Sequence, residues 1–443
     1  MTTNKQAHPQ VYLKRCREEF KEASANGDQR KIATTQANLG YALLAVGKND
    51  EGIFQFEKAI ELTESLQDVE LQTYCLGIKV SAFQNAGRLP DAYQAAVSIQ
   101  EIAEAQNDLG LKCDALLSQG HIILESGEPT MALELFEAAK EIALELEDKR
   151  REMNAMGMMG NYALHIAVTE DALAYFQKAR QLATEVEDRA SEIGFLGNEA
   201  TLLAYNGRYA ESAEAFEVVL AYVTELGDED AQIKALQQLV QVNGKQGNYE
   251  GVVNFAQQGI VLTKAQKDKE LLFDFYQAQI AAYYRLNQIE EAETVTEQAI
   301  AVAQASNDKE KEVDFLLSLG ESAMIFGMPE KALEKYKQAR TGAVRLSRQY
   351  DEAYLTGRIG VALAEIGRTD EAIEFHKEAI ELAQQREIPQ LEGEQLSMLA
   401  MAYLEKEESD TAKTYCQSAI QVFTNAELEE DANQARQLLE QIG

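Results

Sequence analysis

One residue register governs this chain. Glycine recurs at Gly47, Gly87, Gly127, Gly207, Gly247, Gly327 and Gly367, and Asn287 falls on the same register. Ala167 and Glu407 fill the two remaining slots, so ten landmarks follow one another 40 residues apart without insertion or deletion. A fixed period of this size is the signature of a repeat architecture, and it overrides the two or three globular domains that length alone suggests. Five residues after each landmark a small residue is usual, as in Gly52, Ala92, Ala132, Ala172, Ser212, Ala292, Ala332, Ala372 and Ala412, with Val252 the exception. Nine residues after it stand Phe56, Phe136, Phe176, Phe216 and Tyr336, and twelve after it Ala59, Ala139, Ala179, Ala299, Ala339, Ala379 and Ala419.

These offsets describe two helices joined by a tight turn. The landmark needs the left-handed conformation that glycine and asparagine tolerate. The small residue lets the second helix approach a neighbour, and the aromatic one turn later shares its face. Before the first landmark Leu39, Leu43 and Val46, and after it Phe56, Ala59 and Ile60, keep the helical period. A second series, Asp28, Asp68, Asp108, Asp148, Asp188, Asp228, Asp268 and Asp308, reads as the N-caps of the next helices. The series fails at Arg348, Ile388 and Leu428, and none of its members carries the Asp/Asn and Gly alternation of a calcium loop. All five prolines, Pro9, Pro90, Pro129, Pro329 and Pro389, fall at expected helix starts. No segment alternates with a two-residue period, so no sheet is expected.

The spacing small-Gly-x(6)-Gly-x(4)-Ala-x(3)-Phe-x(2)-Ala resembles the tetratricopeptide pattern. It stands as Gly120, Gly127, Ala132, Phe136 and Ala139 in the third repeat, and as Leu39, Gly40, Gly47, Gly52, Phe56 and Ala59 in the first. The resemblance covers residues 10 to 443, and its 40-residue length resembles the repeats of Pins/LGN-type polarity adaptors and of bacterial maltose regulators. It implies an all-α fold: an α-solenoid, a right-handed superhelix of ten helix pairs with one extra helix at each end. The expected organisation is a disordered tail over residues 1–8, then a single solenoid over 9–443. Within it, 9–28 form an N-terminal helix, 29–426 the ten repeats and 427–443 a capping helix.

Composition narrows the function. The chain has 41 Lys+Arg against 74 Asp+Glu, a formal charge of −33, which disfavours nucleic acid and anionic lipid. Cys16, Cys75, Cys113 and Cys416 are dispersed with no CxxC pair, so neither a disulfide framework nor a zinc site is indicated. No apolar run reaches membrane-spanning length and the N-terminus has no secretory h-region, so a cytoplasmic protein without membrane insertion is expected. His8, His121, His165 and His376 are too scattered for a recognisable catalytic or metal site. No HExxH, GxSxG or phosphate-loop pattern occurs. His376 occupies an aromatic core slot and is expected to be a satisfied core residue. No catalytic residue, cofactor or metal is expected, and the chain is not expected to be an enzyme.

By the tetratricopeptide resemblance, the first helix of each pair lines a concave groove. Its inner positions correspond to residues 34, 37, 41, 44 and 45 and their equivalents every 40 residues. This places Tyr41, Tyr74, Asn85, His121, Asn154, Asn161, His165, Tyr205, Lys234, Gln241, Lys245, Tyr284 and Arg285 on the groove. Amides and tyrosines dominate its N-terminal half, while Asp314, Glu321, Glu365, Glu394 and Glu405 make its C-terminal third acidic. Lys234, Lys245 and Arg285 form its basic stretch. Amides can both donate to and accept from a peptide backbone. The expected function is therefore a protein-interaction scaffold or adaptor, binding an extended partner segment with acidic groups. Asn38, Asn198 and Arg358 share the slot where the Pins/LGN class favours Asn and Arg. Ile78, Ser118, Met158, Gln238, Ala278, Ser318 and Met398 break that slot, so that family's partner is not carried over.

Two alternatives remain. One is a ligand-gated, peptide-sensing regulator; only about 28 residues precede the array, so no separate effector domain is expected for it. The other is end-to-end self-assembly, since residues 1–31 carry seven positive and four negative side chains, and residues 427–443 five negative and one positive.

Overall fold

The computed structural model describes residues 9–266 and 268–442. The expected tail over residues 1–8 lies outside them. The described residues form 22 helices and no strand, from α1 (Pro9–Asn26) through α2 (Gln29–Ala45) and α3 (Asn49–Ser65) to α22 (Glu429–Ile442). The first helices of successive repeats start 40 residues apart, as in α4 (Val69–Asn85), α6 (Leu109–Glu125), α8 (Lys149–His165) and α10 (Arg189–Tyr205). Second helices, such as α5 (Leu89–Gln106), α7 (Pro129–Glu145), α9 (Thr169–Glu185) and α11 (Tyr209–Glu225), alternate with them. The architecture is an α-solenoid in which, within α1–α12 and within α13–α22, each helix packs on those adjacent in sequence.

Turn chemistry accounts for the regularity. All ten landmarks have positive φ, including Ala167 at 59° and Glu407 at 62°, where no glycine is present to ease the strain. A second series of left-handed residues closes the helices between repeats. Only Gly27 and Gly227 are glycines there; Gln67, Asn107, Glu147 and Glu187 take the same conformation. At most of the left-handed residues two N–H groups turn back on the preceding helix, as Gly127 N–H does to Leu124 and Glu128 N–H to Ile123. The eight aspartates are N-caps: each carboxylate accepts from a backbone N–H in the first turn, at 2.9 Å for Asp108 with Leu111 and 3.1 Å for Asp28 with Lys31. At Asp148 the backbone N–H of Arg151, together with its guanidinium, holds the carboxyl below the usual carboxylate range.

The helices divide into two compact units, Met1–Gln246 with α1–α12 and Gly247–Gly443 with α13–α22. In each unit the small and aromatic slots form the core. Phe56, Phe136 and Phe176 in the first, and Tyr336 in the second, are fully buried. Each ring rests on a glycine of the preceding helix. A Cβ at Gly120 would lie 2.5 Å from the Phe136 ring, and one at Gly320 2.6 Å from Tyr336. His376 fills the aromatic slot of its repeat, 1% exposed, with Nδ1 2.9 Å from Gln395 Oε1. Since the amide oxygen accepts, Nδ1 carries the proton, and burial pushes the imidazole below its ordinary pKa.

Candidate functional site

In the first unit, the exposed faces of α6, α8 and α10 enclose a cleft of about 510 Å³. Its floor is apolar and its rim polar. Phe195 of α10 stacks on the buried Phe176 of α9, with ring centroids 6.3 Å apart and planes at 29°. Gly157 of α8 makes this approach possible, since a Cβ there would lie 2.7 Å from the Phe195 ring. Leu117 and Met158 complete the floor, and Ser118, His121, Asn154, Asn161 and Asn198 surround it. The three asparagines are exposed. Their amides supply donors and acceptors in excess of what the helices use.

Asp114, which lines the cleft, is already paired. Arg151 grips Asp114 with two hydrogen bonds, Nε at 3.1 Å and Nη2 at 2.9 Å, and also donates to Gly110 O at 3.0 Å and to Asp148 at 2.6 Å. Its side-chain bond to Asp114 is the main cause of its raised pKa. On the other side Gln84 Nε2 donates to His121 Nδ1 and to Glu125 Oε2, both at 3.1 Å. That leaves the His121 proton on Nε2, 3.8 Å from the other Glu125 oxygen. A smaller hollow of about 360 Å³ continues along α6 and α8, lined by His121, Leu124, Glu125, Asn161, Leu164 and His165.

The sequence-derived groove residues separate accordingly. His121, Asn154 and Asn161 meet at the main cleft, and His165 joins His121 and Asn161 at the smaller hollow. Tyr41 is half-buried; its hydroxyl accepts from Asn85 Nδ2 at 3.0 Å, and its ring meets Tyr12 edge-on. Tyr74 is exposed on α4, and Tyr205 at the end of α10 is 81% exposed. Lys234, Gln241 and Lys245 are exposed on α12 (Glu229–Gln246), and the two lysines form no ion pair among the described residues.

In the second unit, Arg285 is exposed at the end of α14 (Lys269–Arg285). Tyr284 is half-buried, with its ring stacked on Phe326 at 6.2 Å and its phenol pushed up by burial. The acidity expected there is partly neutralised. Asp314 pairs with Arg348 at 2.7 Å, and Glu321 receives two bonds from Arg358, the Nε one at 2.7 Å.

Sequence reasoning met Ser118, Met158 and Asn198 only in comparing their slot with the Pins/LGN class and did not assign them to the groove, and it missed Phe195. The first three share one slot, four residues after Asp114, Asn154 and Gly194 respectively, so one helical turn beyond a position already assigned to the groove would have found them. No group of three or more His, Cys, Asp or Glu able to hold a metal ion occurs among the described residues. All four cysteines are buried and free. No helix of the described residues is long and apolar enough to cross a membrane.

Two segments match models of the tetratricopeptide repeat, residues 33–66 and residues 355–390. Together with the alternating helices and left-handed turns, they make this chain a tetratricopeptide repeat protein. No curated protein matches it. Among solved structures it is similar to the apo form of RapI, at 15% identity and a TM-score of 0.49, covering 80% of this chain and 98% of that one. It is also similar to BtubC (BKLC) from P. vanneervenii, at 11% identity and a TM-score of 0.41, covering 50% of this chain and 93% of that one. A third similar structure is a STAND protein with a tetratricopeptide repeat sensor, PH0952 from Pyrococcus horikoshii. There the identity is 16%, the TM-score 0.40, and the coverage 92% of this chain and 55% of that one. At such identities and scores none of the three carries an activity over to this chain.

Proposed function

We propose that the chain is a non-enzymatic interaction scaffold whose first unit binds an extended segment of a partner protein along α6, α8 and α10. Tetratricopeptide repeats are protein-interaction modules, and the observation that carries this reading is the convergence of Asn154, Asn161 and Asn198 on one cleft with an apolar floor. Exposed amides at helical spacing suit a ligand whose own backbone has unpaired N–H and C=O groups. Lys234 and Lys245, exposed on α12 of the same unit, would receive acidic side chains of the segment. Tyr284 and Arg285 belong to the second unit and have no part in this reading.

The test uses a display library of random short peptides panned on the full chain, with the enriched peptides labelled and titrated by fluorescence anisotropy. Asn154→Ala combined with Asn161→Ala should weaken their binding by roughly tenfold or more, since each amide contributes about 0.5–1.5 kcal/mol per hydrogen bond. Lys234→Glu with Lys245→Glu should weaken only peptides that carry Asp or Glu, and that effect should fall with added salt. Binding indifferent to the asparagine pair would refute the reading.

A further inference from the structure

We propose that the hollow between Met158 and Phe195 is an anchor pocket, which takes one large apolar side chain (Leu, Met or Phe) from an uncharged stretch of the bound peptide. The inference rests on the peptide reading above and adds what is recognised. Three observations carry it.

The first is the floor. Met158 and Phe195 expose apolar surface over the buried Leu117 and Phe176, and the cleft of about 510 Å³ has the size of a ligand pocket. Amides can hold a peptide backbone anywhere along the helices, but an apolar floor contributes only when an apolar group covers it.

The second is charge. In a chain of net charge −33, Asp114 is the one acidic or basic (Asp, Glu, Lys or Arg) residue lining this cleft. Asp114 is held by Arg151, while Glu125 lines the smaller hollow instead and accepts from the neutral amide of Gln84. A Lys, Arg, Asp or Glu of the ligand entering here would lose water without gaining a counter-charge. The acidic groups of a ligand are therefore directed to α12, away from the anchor.

The third is depth. Gly157 leaves room for the Phe195 ring, which a single methyl at that position would meet at 2.7 Å. Alanine there forces the ring to shift, and any shift of Phe195 reshapes the wall of the anchor pocket. Alanine is also the better helix former, so the substitution acts on the pocket while favouring α8 itself.

The experiment pans the same random-peptide library on the wild-type chain and on Gly157→Ala. Enriched peptides are then titrated alongside versions with the shared apolar residue changed to Ala or to Asp. On the wild type the enriched peptides should share Leu, Met or Phe at one position. Its replacement by Ala should cost roughly tenfold or more, as expected for removing several methylenes from an apolar pocket. Gly157→Ala should lose that discrimination while binding the Ala version as the wild type does, a pattern that general loosening of the fold would not produce. If far-UV circular dichroism shows that Gly157→Ala does not fold, Met158→Ala replaces it. By shortening the opposite wall it should move the selection toward larger rings, and an unchanged selection would overturn the anchor. Peptides that depend on Asn154 and Asn161 but share no apolar residue would also overturn it, with the groove reading intact. No enrichment at all, or enrichment indifferent to both asparagines, removes the groove reading and the anchor together.

Discussion

His376 offers the sharpest test of how this core is held together. Where other repeats place Phe56, Phe136, Phe176 or Tyr336, this repeat buries an imidazole whose Nδ1–H donates to Gln395 Oε1 at 2.9 Å. His376→Phe keeps a ring over Gly360 but leaves the Gln395 oxygen, in a side chain only 5% exposed, without its donor. An orphaned buried acceptor costs about 1–3 kcal/mol, offset in part by the more apolar ring, so the variant should be destabilised by about 1–2 kcal/mol near neutral pH. Acid should then narrow the difference. Burial holds the folded imidazole below its ordinary pKa, so below about pH 6.5 the unfolded chain takes up a proton that the folded chain resists. Wild-type stability therefore falls as pH drops from that value toward the folded pKa, by up to about 1.4 kcal/mol per pH unit for one proton. The Phe variant has no such proton, and every other titrating group is common to both chains. Urea unfolding followed by far-UV circular dichroism from about pH 7.5 to about pH 5.5 measures the difference directly. A gap between wild type and variant that stays constant over that range would refute the argument. The double variant His376→Phe with Gln395→Leu, which removes both polar partners, should recover most of the loss at neutral pH.

Three further outcomes follow from the turns and the core, each read by denaturant midpoint. Asp108→Ala should lose about 1 kcal/mol because the Leu111 N–H loses its acceptor, whereas Lys48→Ala, at a helix start with no side-chain cap, should change little. Ala167→Gly should stabilise by about 0.5–1 kcal/mol, since the left-handed backbone at φ 59° strains a Cβ by more than glycine's added unfolded-state entropy costs. Phe136→Ala, at a fully buried position, should cost about 3–5 kcal/mol.

The ten landmarks and the aspartate series were legible in the sequence because each rests on a local requirement that few residue types meet: a left-handed turn or a side-chain acceptor for a helix N-terminus. The second turn series was not, because Gln67, Glu147 and Glu187 carry no turn signature of their own; the two flanking helices impose their conformation. At Arg348 the aspartate series breaks, and the structure gives that slot a different task. Its guanidinium binds Asp314 from the preceding repeat and Asp351 from its own helix. The cleft was half legible. His121, Asn154 and Asn161 follow from helical spacing, but Phe195 reaches the floor only because Gly157 has no side chain. That is a contact between helices across 38 residues, and no single-helix pattern encodes it.

The turns that space these helices also set the distance over which the chain must search for its own partners. Among the described side-chain hydrogen bonds, the longest in sequence joins Asn85 to Tyr41, 44 residues apart. A segment emerging from a ribosome thus meets nearly all its polar partners within about one repeat of synthesis, and loop closure over so short a span carries little entropy. Such a chain can consolidate progressively from its N-terminus, each repeat serving as the template for the next, long before its last residue is made.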